Sequence, residues 1–131
     1  MVIKQQMKGN NMTQEQVRST HLTVNNMLSS KGNKIPNQFI IEEWLHYSGS
    51  GSYTVKRKTF QSYNSIIARI TGDPMGPDFI ELDPKYWNYS KTTSKYRSLF
   101  LKENTKQTED KIKSNEYVLT DLNTAKLKEV A

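Results

Sequence analysis

The chain has 131 residues, a formal charge of +6, no cysteine and 34% hydrophobic residues, too little for a second core of useful size. Disulfides, thiolate nucleophiles and sulfur-ligated metals are excluded with the cysteines, and a membrane span or secretion signal is not indicated because long apolar runs are absent. The expected protein is one basic, aromatic-rich domain in the cytoplasm: residues 1–72 carry nine Lys and Arg against three acids, and residues 73–131 carry ten of each.

Residues 1–12 show no periodicity and are expected to be disordered. Met12, following a Lys-Gly-Asn-Asn string whose codons are purine-rich, is a candidate start. Residues 13–123 then form the domain, and 124–131 are expected to fray. Thr13 with Gln16 fits a capping box, and Met12 with Val17 a hydrophobic staple. A helix from Gln14 follows, with Val17, His21, Val24 and Leu28 on its apolar stripe and Gly32 as its stop. The β-branched residues and the paired Asn weaken its middle, so a shorter helix starting near Thr23 is the alternative.

Pro36 breaks the chain. Phe39 to Tyr47, rich in β-branched and aromatic residues, reads as a strand. Ser48–Ser52 then turns it, and Tyr53–Val55 returns extended. This long β-hairpin (arm about 38–58) brings Lys56, Arg57 and Lys58 together. Phe60 to Ile70 supplies its buried continuation. After the turn at Thr71–Pro77, Phe79–Leu82 alternates as a third strand. Ser90, Thr92 and Thr93 are candidate caps for a helix carrying Tyr96, Leu99 and Phe100. Thr105 is the expected cap of a second, ending near Asn115. Tyr117 and Leu119 suggest a last extended segment. The fold class is α+β, with a small antiparallel sheet and a long hairpin packed against two or three short helices.

From Lys85 to Lys102 cations and rings interleave with no acid among them, a composition suited to phosphates and stacked bases. The same rings equally suit a core with lysines solvating the surface above it. Trp87 is expected inside, with Tyr86 and Tyr89 outside. His21 and His46 lack metal-binding spacing, and neither a nucleophile motif nor a phosphate loop occurs. Glu42 and Glu43 would face opposite ways on a strand. Asp78, Glu81 and Asp83 read as solvated strand ends. No enzyme, metal or cofactor is expected. The candidate binding residues are Lys56, Arg57, Lys58, Arg69, Lys85, Tyr86, Tyr89, Lys91, Lys95 and Arg97.

The strings Thr59 to Ile70, Leu82 to Arg97, Phe100–Leu101 and Lys111 to Tyr117 resemble a small uncharacterised domain encoded by bacteriophages and plasmids. The resemblance covers about residues 36–123. It implies an accessory of a mobile element in a bacterial host and assigns no catalytic residue. Two functions are compatible with it. One is an inhibitor of a host defence protein or ribonucleoprotein, of the anti-CRISPR type, acting on a Cas effector such as Cas9. The other is a phage accessory protein that contacts DNA or RNA through its basic-aromatic surface.

Overall fold

A computed structural model describes residues 16–49 and 51–124. One six-stranded sheet runs in chain order: β1 (Gln16–Leu28), β2 (Lys34–Ser48), β3 (Ser52–Ser62), β4 (Ser65–Thr71), β5 (Phe79–Leu82) and β6 (Val118–Leu119). Helices α1 (Lys91–Leu101) and α2 (Thr105–Lys113) lie between β5 and β6. Every pairing is antiparallel except β5 with β6, so the sheet is mixed rather than antiparallel throughout. The two helices supply the crossover that a parallel pair needs.

The expected first helix is a strand instead. Val17, Thr20, Thr23 and Val24 are β-branched, and β2 offers β1 a full-length partner that an isolated amphipathic stripe lacks. Gly32 is the left-handed residue of the turn into β2, at φ 85°, where Gly32 N–H donates to the Ser29 carbonyl; it stops β1, not a helix. The Met12 start, the cap at Thr13 and the expected disorder of residues 1–12 fall outside the described residues, as does the tail from residue 125.

Pro36 sits inside β2, not at a break. It precedes the first β2–β3 pair, Gln38 with Ser62, in an irregular stretch where the ladder needs no donor from it. The β2–β3 hairpin is in the expected place, with Tyr47 opposite Tyr53 and Ser48 opposite Ser52 at its tip. β1 widens it into a three-stranded arm. The stretch from Phe60 to Ile70 reverses at Tyr63–Asn64 between Ser62 and Ser65, with Tyr63 at φ 55°. No glycine marks that reversal.

Strand register places Phe60, Ala68 and Leu82 side by side on one face of the sheet. All three are fully buried. Trp87, Phe100, Leu101, Ile112 and Tyr117 cover Ala68 and Leu82, and the Phe60 and Phe100 rings lie 5.7 Å apart. Each large side chain buried this way contributes about 1.5–3 kcal/mol. This is the helix face; the opposite, open face has its own cluster in Leu45, Tyr47 and Val55.

Ser90 caps α1 by accepting from Thr93 N–H, as its hydroxyl suggests. For α2 the cap is Asn104 rather than Thr105: Asn104 and Gln107 form the reciprocal capping box. Thr105 has another use, accepting from buried Arg97 Nη2 at 2.7 Å. Arg97 Nη1 donates to the Trp87 carbonyl at 2.6 Å, and the guanidinium lies 5.2 Å from the Trp87 ring centre. Asp83 is also buried, not solvated; its carboxylate accepts from the backbone N–H groups of Lys85, Tyr86 and Leu122.

The Glu103 side chain is only 4% exposed. It accepts from Thr108 Oγ1 at 2.6 Å, and from Lys111 Nζ and the Tyr117 hydroxyl at 2.8 Å each. Burial alone would raise this carboxyl, but the three donors outweigh it and hold it below its ordinary value. Burial, then the neighbouring carboxylate, pushes the Tyr117 hydroxyl up to about 12.

Two of these buried charges, Arg97 and Glu103, make separate predictions. Arg97→Lys loses the planar fork that reaches Trp87 and Thr105 together, and should cost about 2 kcal/mol or more in urea unfolding. A variant unfolding with the parent would show that a point charge is enough. For Glu103, a depressed native value means stability present above the unfolded carboxylate value, about 4.3, and lost as pH falls below it. The raised Tyr117 value acts oppositely: its contribution is lost as pH rises from about 10 towards 12. Glu103→Gln should therefore melt lower than the parent at pH 7 and show a shallower loss between pH 5 and 3, to order of magnitude.

Candidate functional site

Side chains alternate along a strand, so the arm sorts its residues between two faces. The unshifted β2–β3 register sets Glu42 opposite Lys58, Trp44 opposite Lys56 and His46 opposite Thr54 on the helix face. β1 adds Arg18 beside His46 and His21 beside Trp44. The helices cover only the base of this face, so Trp44 remains 40% exposed. Lys56 Nζ lies 5.6 Å from the Trp44 ring centre and 3.5 Å from Glu42 Oε1. Lys58 makes no ion pair among the described residues and lines a groove with Glu42, Leu28, Leu99 and Lys102. The result is an exposed ring among cations with one acid between them, able to meet phosphate and stack on a base.

The open face of the same arm is apolar at its tip. Leu45, Tyr47 and Val55 are buried, and Tyr47 and Tyr53 stack at 4.8 Å with 8° between their planes. Val17, Leu22 and Val24 continue the surface on β1, all substantially exposed. Nearer the base the face carries two cross-strand ion pairs. Arg57 Nε and Nη2 donate to Glu43 Oε1 at 3.0 and 2.8 Å, and Arg69 Nη1 lies 3.9 Å from Glu81. Burial first, then the charge of Arg57, lowers the Arg69 guanidinium; the carboxylates of Glu81 and Glu43 oppose the shift.

The ten residues singled out in the sequence therefore separate. Lys56 and Lys58 share the helix face of the arm, whereas Arg57 and Arg69 point to the open face and are paired with acids. Lys85, Tyr86, Tyr89, Lys91 and Lys95 form a second group where the loop after β5 enters α1. Lys85 and Lys95 sit 5.3 Å from the rings of Tyr86 and Tyr96. Tyr86 meets Tyr89 edge to face at 5.2 Å, and Tyr89 is 50% exposed. Trp87 packs inward, against the core under the helices. Arg97 is a correction: it is 0% exposed and its donors are turned to Trp87, Asn88 and Thr105, so no partner reaches it.

Trp44, Arg18, His21 and His46 were not among those ten. The signal for Trp44 and His46 was present in the alternation of Glu42, Trp44 and His46 with Glu43, Leu45 and Tyr47. Arg18 and His21 were hidden by the helical reading of their strand.

Among the described residues, no group of three or more His, Asp or Glu side chains is arranged to hold a metal ion, and no helix is long and apolar enough to cross a membrane. No curated protein and no solved structure matches the chain. A family of unknown function, DUF8033, matches residues 22–116, from the middle of β1 to the end of the helical region, and the chain belongs to that family.

Proposed function

We propose that the protein is a non-catalytic binding protein that blocks a nucleoprotein of a bacterial host's defences, as an anti-CRISPR inhibitor does, by docking its three-stranded arm. The observation that carries this reading is the division of the arm: Trp44, Lys56 and Lys58 on one face, and the exposed Val17 and Tyr53, set on the buried Leu45, Tyr47 and Val55, on the other. A nucleoprotein offers both complements, phosphate for the cations and apolar protein surface for Val17 and Tyr53. A cationic face alone would suit a naked strand. The sequence resemblance to domains carried by phages and plasmids supplies the host context.

A second reading, a phage accessory protein for DNA or RNA, rests on the separate group of Lys85, Tyr89, Lys91 and Lys95, where the half-exposed Tyr89 borders Lys91 and meets Tyr86, the ring that Lys85 approaches. The two readings differ in which surface matters and in what is bound without host protein.

An RNA-guided effector and its naked RNA and DNA, titrated separately over a salt series, distinguish them. The inhibitor should bind the effector complex at least about tenfold more tightly than either naked strand, a difference of about 1.4 kcal/mol. Lys56→Ala with Lys58→Ala should weaken that binding and reduce the salt slope by about two, one for each phosphate no longer neutralised. Naked strands held as tightly as the complex, with Tyr89→Ala the damaging change, would favour the accessory protein. Unchanged affinity and salt slope in the double variant would remove the arm from the interface.

A further inference from the structure

We infer that the protein is a homodimer in which the outer edge of β1 pairs antiparallel with β1 of a second copy, about a two-fold axis through Thr23. Among the described residues β1 has one neighbour, β2, so its other side presents unpaired backbone groups along a 13-residue strand. Proteins normally blunt such an edge by shortness, charge or proline. β1 contains no proline and one charge, Arg18. The opposite edge of the sheet, β6, is shortened to two residues. The two edges are thus treated differently, as expected if only one is meant to be covered.

The geometry of β1 selects a register. Shifts in pairing near Thr20 and Met27 leave His21 to Asn26 as a regular stretch. Residues directly opposite in an antiparallel pair share a face. Centring the pair on Thr23 sets Leu22 of each copy opposite Val24 of the other, on the open face where both are 55% exposed. On the other face Thr23 meets its own counterpart and His21 meets Asn25. A slip of one residue would put Leu22 opposite Thr23 and join the wrong faces.

Charge does not oppose this pairing. The two Arg18 residues lie at opposite ends of the paired stretch, about 33 Å apart at 3.3 Å per residue, beyond a screening length of about 8–10 Å. The arrangement also closes. With β6 too short to receive β1, head-to-tail addition has no acceptor edge, and the isologous pair is left. A second copy is favoured over a foreign strand because β1 complements itself in both parity and side-chain pairing.

The test uses the full chain without any partner, so its outcome is independent of the proposed inhibitory role. Sedimentation velocity near 50 µM, an order-of-magnitude choice, should show a dimer that dissociates on dilution. Because the chain has no cysteine, Thr23→Cys introduces a unique thiol that should link two chains on mild oxidation. Val17→Cys should not, its two copies being about 40 Å apart. Leu22→Lys with Val24→Lys should give a monomer with an unchanged circular dichroism spectrum; if that variant unfolds, the Thr23→Cys result decides. A parent monomeric at every concentration would overturn the proposal and leave the edge to another protein's strand. A dimer that links through Val17→Cys but not Thr23→Cys, or that survives the double lysine change, would overturn this interface.

Discussion

A buried guanidinium without a carboxylate in hydrogen-bonding range holds the helical half of this protein together. Arg97 reaches the Trp87 carbonyl, Asn88 and Ser94 through one nitrogen and Ser98 and Thr105 through another. It thereby fixes the loop after β5, the body of α1 and the start of α2 against one another. Desolvation is the chief force against such a charge and lowers its pKa. Neutral oxygens, the Trp87 ring and the more distant charge of Glu103 oppose it. Both terminal nitrogens of Arg97 are satisfied although its buried Nε finds no acceptor among the described residues, and loss of the charge is expensive because several partners are orphaned together. Asp83 holds the other end of the same loop through backbone N–H groups. Between these anchors Lys85, Tyr86 and Tyr89 are left at the surface.

The arm is organised by a different constraint, the period of two along a strand. Three consecutive cations, Lys56, Arg57 and Lys58, cannot act as one patch: Arg57 is turned to the open face and neutralised by Glu43, leaving two lysines with Trp44. Arg69 is treated in the same way by Glu81, although its Nε finds no acceptor. The excess of cations in the first part of the chain therefore overstates the available positive surface. Among the described residues, Arg18 and Lys58 make no ion pair on the helix face of the arm, where the helices stop short of covering it.

How far this was legible depended on whether the signal was local. The hairpin tip at Ser48–Ser52, the strand at Phe79–Leu82 and the cap at Ser90 all follow from nearby residues. β1 did not, because Val17, His21, Val24 and Leu28 satisfy a helical spacing while the pairing with β2 that overrides it lies about twenty residues away along the chain. The reversal at Tyr63 lacked the glycine that would announce it. For the site, the Lys56 to Lys58 cluster was visible but its division between faces required the register. Arg97 was misread because composition places a guanidinium in a basic stretch without saying what lies beneath it. Only the fold shows that an arginine with no carboxylate against it can be the core of the helical region.

These two constraints also divide what the protein can vary. In the helical base, Arg97, Asp83 and Glu103 each bind several backbone or side-chain groups from separate segments, so a change at one loosens several elements. On the arm, the buried Leu45, Tyr47 and Val55 are held as a core, whereas exposed side chains on one face project away from those on the other and can change separately. The family match covers β2 to β5 and both helices but begins only at Leu22 and ends before Tyr117 and β6. Arg18, Val17 and the register shift at Thr20 lie outside it. Substitutions at exposed positions of the arm are therefore expected to disturb folding less than substitutions at Arg97, Asp83 or Glu103.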